Sequence, residues 1–135
     1  MDPLALERLR AALAGDSRIA FAYLFGSEAT GTAGPRSDVD VAAWFREPVP
    51  EDAQLDLMGL VTAAVRIDRV DVVVLNSAPL TLAAEVLKGT LLVSTDEDLR
   101  VEVESGIMSR WHDRVHYIRR GTEEAGRRLS ERGWS

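Results

Sequence analysis

An α/β (α+β) fold, with a small mixed β-sheet flanked by helices and a long C-terminal helix, is predicted by three observations. Short apolar runs of strand length alternate with segments of helical period. The strand-like runs end or begin at glycine and aspartate. From about Glu97 onward no strand signal returns.

Leu4, Leu6, Leu9 and Leu13 recur at near-helical spacing, and Gly15 stops that first helix. Ile19 to Phe25 is apolar and aromatic-rich and reads as a buried strand ending at Gly26-Ser27. Glu28 to Arg36 holds Gly31, Gly34 and Pro35, which suits one helical turn and then a loop. Asp38 to Phe45 reads as a second strand. Glu51 to Val65 reads as a helix with a wide apolar face built from Leu55, Leu57, Met58, Leu60, Val61 and Val65. Val70 to Leu75 is β-branched and apolar except for Asp71, and reads as a third strand. Pro79 opens a helix to Leu87, Gly89 ends it, and Thr90 to Ser94 is a fourth strand. The remainder is helical in one long or two shorter stretches, with Ile107, Trp111, Val115 and Ile118 as its apolar stripe.

Length and composition narrow the function classes. At 135 residues the chain is expected to be one domain, 1–135, large enough to bury a core unaided. It has no cysteine, so thiolate metal sites, disulfides and a cysteine nucleophile are excluded. Met1 to Arg10 carries Asp2 and Glu7 and no apolar stretch, so no signal peptide is expected. The longest uncharged run, Val72 to Ala84, has 13 residues, holds Asn76 and Pro79, and is too short and too broken to span a bilayer, while the lack of cysteine fits a reducing compartment, so the expected location is cytoplasmic. The formal net charge is -6, but residues 105–135 sum to +3, which leaves -9 on the rest. An acidic body argues against nucleic acid as a general partner. The arginine-rich tail reads either as a solvated helix face or as a contact surface, for a second copy or for another protein.

Three aspartates stand where burial should forbid them. Asp38 and Asp40 open a strand at i and i+2, so both leave the same face. Asp71 opens another, between Val70 and Val72. If the two strands are neighbours, the carboxylates converge. At ~5 Å and an effective dielectric of ~20, each like-charge pair costs roughly 3 kcal/mol. Hard oxygen donors without nearby His or Cys point to Mg²⁺ or Mn²⁺ as the compensating cation. A cap, a solvent-facing residue or an edge residue explains any one of these aspartates, but not the set together with Gly26-Ser27. That pair comes directly after a strand. Glycine admits a phosphate to the backbone, a helical turn beyond it offers free N–H groups, and Ser27 adds a hydroxyl.

The segment Leu24-Phe25-Gly26-Ser27-Glu28-Ala29-Thr30-Gly31, then ten residues after Gly26-Ser27 the run Asp38-Val39-Asp40, resembles the signature of DNA-polymerase-β-like nucleotidyltransferases. The ten-residue gap is that of the minimal nucleotidyltransferase subfamily, which includes MntA-like antitoxins of HEPN/MNT toxin–antitoxin systems. Arg69 to Asn76 resembles its third-carboxylate strand, and Pro79 to Gly89 resembles the helix and turn beyond that strand. The likeness thus covers roughly residues 19–95. Thr30 stands where family members commonly carry Arg. The resemblance implies the nucleotidyltransferase fold, with Asp38, Asp40 and Asp71 as metal-binding and catalytic residues. Asp71 is implied to help deprotonate the attacking hydroxyl, and Gly26 and Ser27 to hold the β- and γ-phosphates of ATP. It further implies AMP transfer, AMPylation of a tyrosine on a HEPN ribonuclease toxin, as the work of an antitoxin. A non-catalytic toxin-binding module and a stand-alone enzyme acting on a small molecule remain as alternatives.

Overall fold

The computed structural model describes residues 1–26 and 39–131. Helix α1 spans Pro3–Ala14, with the Asp2 side chain accepting from the Leu4 amide at its start. Strand β1 spans Ile19–Phe25 and β2 spans Val39–Phe45. Helix α2 spans Ala53–Val65 and β3 spans Val70–Val74. A 3₁₀ turn over Leu75–Ser77 leads to α3 at Leu80–Leu87, then β4 at Thr90–Ser94. Helix α4 runs unbroken over Glu97–Glu131.

The sheet order is β3-β2-β1-β4. β1 pairs antiparallel with β2 and with β4, while β2 and β3 are parallel, so the sheet is mixed as expected. Leu9 and Leu13 of α1 and Leu57 and Val61 of α2 pack on Ala22, Leu24, Val41, Ala43 and Phe45. The opposite face carries Phe21, Tyr23 and Ala42 against Ala83 and Val86 of α3 and Ile107 of α4. The sheet is thus covered on both sides, which is why β1 reads as a continuous apolar run rather than an alternating one. Trp44 stacks on Phe21 with ring centroids 6.0 Å apart on the α3/α4 side.

Three boundaries move. Leu75, expected in β3, belongs to the 3₁₀ turn, because the Asn76 side chain replaces the ladder there. Its amide donates to the Phe45 carbonyl and its oxygen accepts from the Phe45 N–H, both at 2.9 Å. The second helix starts at Ala53 rather than Glu51, and the third at Leu80 with Pro79 as its cap. The C-terminal stripe buries only in part. Ile107 is buried, Trp111 and Val115 are half-buried, and Ile118 is 58% exposed.

The direction of α4 is set by its contacts. The Thr95 amide, just before it, donates to the Ala20 carbonyl. Glu104 accepts from the Tyr23 hydroxyl. The helix therefore advances alongside β1 toward the edge where β1 ends. At 1.5 Å per residue, the part after Ile107 extends about 36 Å further.

Candidate active site

One edge of the sheet gathers the end of β1 and the beginnings of β2, β3 and β4. In the parallel ladder Asp40 lies directly opposite Asp71. Neighbouring strands are about 4.8 Å apart, and residues in register share a face, so the two carboxylates leave the sheet side by side. Asp40 is half-buried and Asp71 is exposed. The Val39 amide donates to the Arg69 carbonyl at 2.9 Å, which fastens the two strand openings together. On the other side of β2, Asp40 lies opposite Phe25, the last residue of β1.

Gly26 comes next, with φ of 76°, in the left-handed region that only glycine adopts freely. A Cβ placed there would overlap Asp40 Oδ2 and lie 3.3 Å from its Cγ. The Asp40 carboxylate thus rests against the Gly26 backbone, and the expected phosphate turn and the expected metal ligand are in direct contact. Gly26, Asp40 and Asp71, three of the five residues singled out from sequence, are together at one edge. Ser27 and Asp38 lie outside the described residues, as does Thr30.

Among the described residues no group of three His, Cys, Asp or Glu side chains forms a metal cluster. The donors present do suit a hard divalent cation. They are two carboxylates in register on adjacent strands, both hard oxygen donors, and the position two residues before Asp40 is a further aspartate. In sequence Gly89 reads only as a helix stop. In the structure it also brings the α3–β4 turn onto this edge, since a Cβ there would overlap the Leu24 carbonyl oxygen. The only signal for this in the sequence is the glycine itself.

The family model for polymerase beta nucleotidyltransferases matches residues 7–98. The chain belongs to this nucleotidyltransferase family. No curated protein matches its sequence. Among solved structures, this nucleotidyltransferase is similar to a toxin–antitoxin complex crystallised with AMP-PNP, at 25% identity and a TM-score of 0.65. The match covers 82% of this chain and 90% of the other. It is also similar to a protein assigned to the minimal nucleotidyltransferases, at 26% identity and a TM-score of 0.53, covering 67% of this chain and 97% of that one. Its fold further matches the structure of a tri-AMPylated HEPN toxin with its MNT antitoxin from Shewanella oneidensis, at 23% identity and a TM-score of 0.61, over 86% and 92% of the two chains. No described helix of the nucleotidyltransferase is long and apolar enough to cross a membrane.

Proposed function

We propose that this chain transfers AMP from ATP to a tyrosine hydroxyl of a HEPN-type toxin and so acts as the toxin's antitoxin. The observation that carries the chemistry is the contact of Gly26 with Asp40 beside Asp71 at one sheet edge. Asp38, Asp40 and Asp71 would hold Mg²⁺ or Mn²⁺, which supplies charge neutralisation for the attacking and leaving oxygens. Gly26 and Ser27 hold the β- and γ-phosphates through the backbone and a hydroxyl. Asp71, the exposed member, faces the acceptor and takes up the proton of its hydroxyl. The acceptor oxygen bonds to the α-phosphorus, the α–β bridging bond breaks, and pyrophosphate departs.

The acceptor's identity rests on two supports. A toxin–antitoxin complex with AMP-PNP and an AMPylated HEPN toxin with its MNT antitoxin share this fold. Helix α4, advancing past the edge that carries the aspartates, also offers a partner a docking arm beside the site. Tyr117 and Ile118 are exposed on it, among Arg110, Arg114, Arg119 and Arg120.

The test incubates the chain with Mg²⁺, ATP and the helical protein encoded beside it, and weighs that protein by mass spectrometry. A gain of whole AMP units, absent with Asp40→Asn, is expected. Binding without any mass gain replaces this reading with a non-catalytic antitoxin module. Labelling of a small-molecule hydroxyl alone leaves only the nucleotidyltransferase chemistry.

A further inference from the structure

Lys88 is the single lysine of the chain. It caps the C-terminus of α3, and Gly89 separates it from β4. β4 starts with Thr90 opposite Leu24, so the α3–β4 turn lies at the same edge as Gly26, Asp40 and Asp71. The approach is close. A Cβ on Gly89 would overlap the Leu24 carbonyl oxygen and lie 3.0 Å from Phe25 Cα. The backbone just after Lys88 therefore touches the residues just before Gly26. Helix α3 covers the sheet face of Tyr23 and Ala42. Asp40 is two residues from Ala42 and shares that face, and Asp71 is its neighbour in register.

Across the edge the order is Asp71, Asp40, the Gly26 turn, then the Lys88 turn. Carboxylates stand at one side, a side-chain-free backbone in the middle and an ammonium at the other. A triphosphate has a matching polarity along its length. Its α-phosphate belongs with the metal-binding carboxylates, and its terminal phosphates carry charge that two aspartates repel. The current partner of Lys88 does not hold it firmly. Nζ is 3.0 Å from Glu85 Oε1 in an i,i+3 pair whose side chains are 68% and 64% exposed. Such pairs contribute little and exchange readily. Lysine is a compact point charge suited to a phosphate.

We propose that Lys88 binds the terminal phosphates of the nucleoside triphosphate, leaving Glu85 when the nucleotide arrives. The proposal rests on the nucleotidyltransferase reading above. It is tested by measuring the affinity of the full chain for AMP-PNP and for AMP, each with Mg²⁺, through displacement of a fluorescent ATP analogue. Lys88→Ala should weaken AMP-PNP about tenfold, the lower end of what a charge-assisted hydrogen bond gives, and leave AMP unchanged. Lys88→Arg should restore most of the loss, and Glu85→Gln should bind AMP-PNP at least as well as the parent. Thermal unfolding of each variant, with Lys88→Gln as a second truncation of charge, separates folding defects from lost contacts. Unchanged AMP-PNP affinity in both neutral variants, or equal losses for AMP-PNP and AMP, overturns the proposal. If the parent itself binds neither the analogue nor AMP-PNP, the nucleotidyltransferase reading fails instead.

Discussion

Asp40 and Asp71 face each other across a parallel ladder with like charge, and directly opposed like charges weaken a sheet. Replacing Asp71 with Asn should therefore raise stability in metal-free buffer by roughly 0.2–1 kcal/mol. Mg²⁺ should then stabilise the parent more than the variant, because a cation that binds only the folded state adds to its stability in proportion to its affinity. Denaturant unfolding with and without Mg²⁺ measures both effects. A large loss in Asp71→Asn without metal would mark the carboxylate as structural. Gly26 is the stricter residue. An alanine there meets both a left-handed backbone, at about 1–2 kcal/mol, and the Asp40 carboxylate. Gly26→Ala should lower the melting temperature and also weaken AMP-PNP binding, since relief comes only by moving Asp40 or the turn. Full nucleotide affinity in a destabilised Gly26→Ala would separate the turn from the site.

At the scale of elements, the strands were the most legible part of the sequence. Ile19–Phe25 matches its expected limits because a strand covered on both faces demands an unbroken apolar run, and Thr90–Ser94, an edge strand, because Gly89 marks where it starts. The two half-hidden facts were long-range. No periodicity says that β2 and β3 are parallel neighbours in register, which is what brings Asp40 to Asp71. Nor does it say that Asn76 would serve as a ladder partner for Phe45. Gly26 announced itself by type, whereas Lys88 and Gly89 became part of the edge only through strand order. The docking of α4 on β1 is legible only in part: Ile107 lies in the apolar stripe, but the polar pair that fastens the helix has no signal in the sequence. The Tyr23 hydroxyl, buried, donates to Glu104, which Arg100 also engages at 2.9 Å. Burial, reinforced by the Glu104 carboxylate, raises the Tyr23 pKa above its ordinary value. A pKa raised in the folded state gives stability that is intact below the unfolded value, about 10, and is lost as pH rises beyond it. The parent should accordingly lose stability above about pH 10 more steeply than Tyr23→Phe. Coincident slopes in alkaline urea titrations would show that the hydroxyl does not anchor α4.

For the whole molecule, the charge is divided rather than merely negative. Residues 105–135 sum to +3 against -9 elsewhere. A partner with an acidic surface is drawn to α4 and repelled by the body, which steers it to one approach. Replacing Arg110, Arg114, Arg119 and Arg120 with Glu reverses the charge of the arm and leaves untouched Leu99, Val103 and Ile107, the residues that seat α4 on the sheet side. That variant should retain the parent's melting temperature and AMP-PNP affinity while losing affinity for the proposed toxin partner. The parent's own partner affinity should fall as salt rises, over the range in which the Debye length shortens to about 8 Å and below. Salt-independent association, or full partner binding by the charge-reversed variant, would place the interface on the body instead.

Because α4 is one unbroken helix from the sheet to its far end, distance and bearing along it cannot vary separately. Each residue gained or lost between Ile107 and the exposed segment displaces that segment by about 1.5 Å and also swings it through about 100° around the helix axis. Such an arm tolerates substitutions along its outer face but is unforgiving of small insertions and deletions. Only changes near whole numbers of turns would return the same side chains to the same bearing over the edge of the sheet. Lineages of this chain and its partner would then be expected to drift freely in surface residues while keeping the helix in phase.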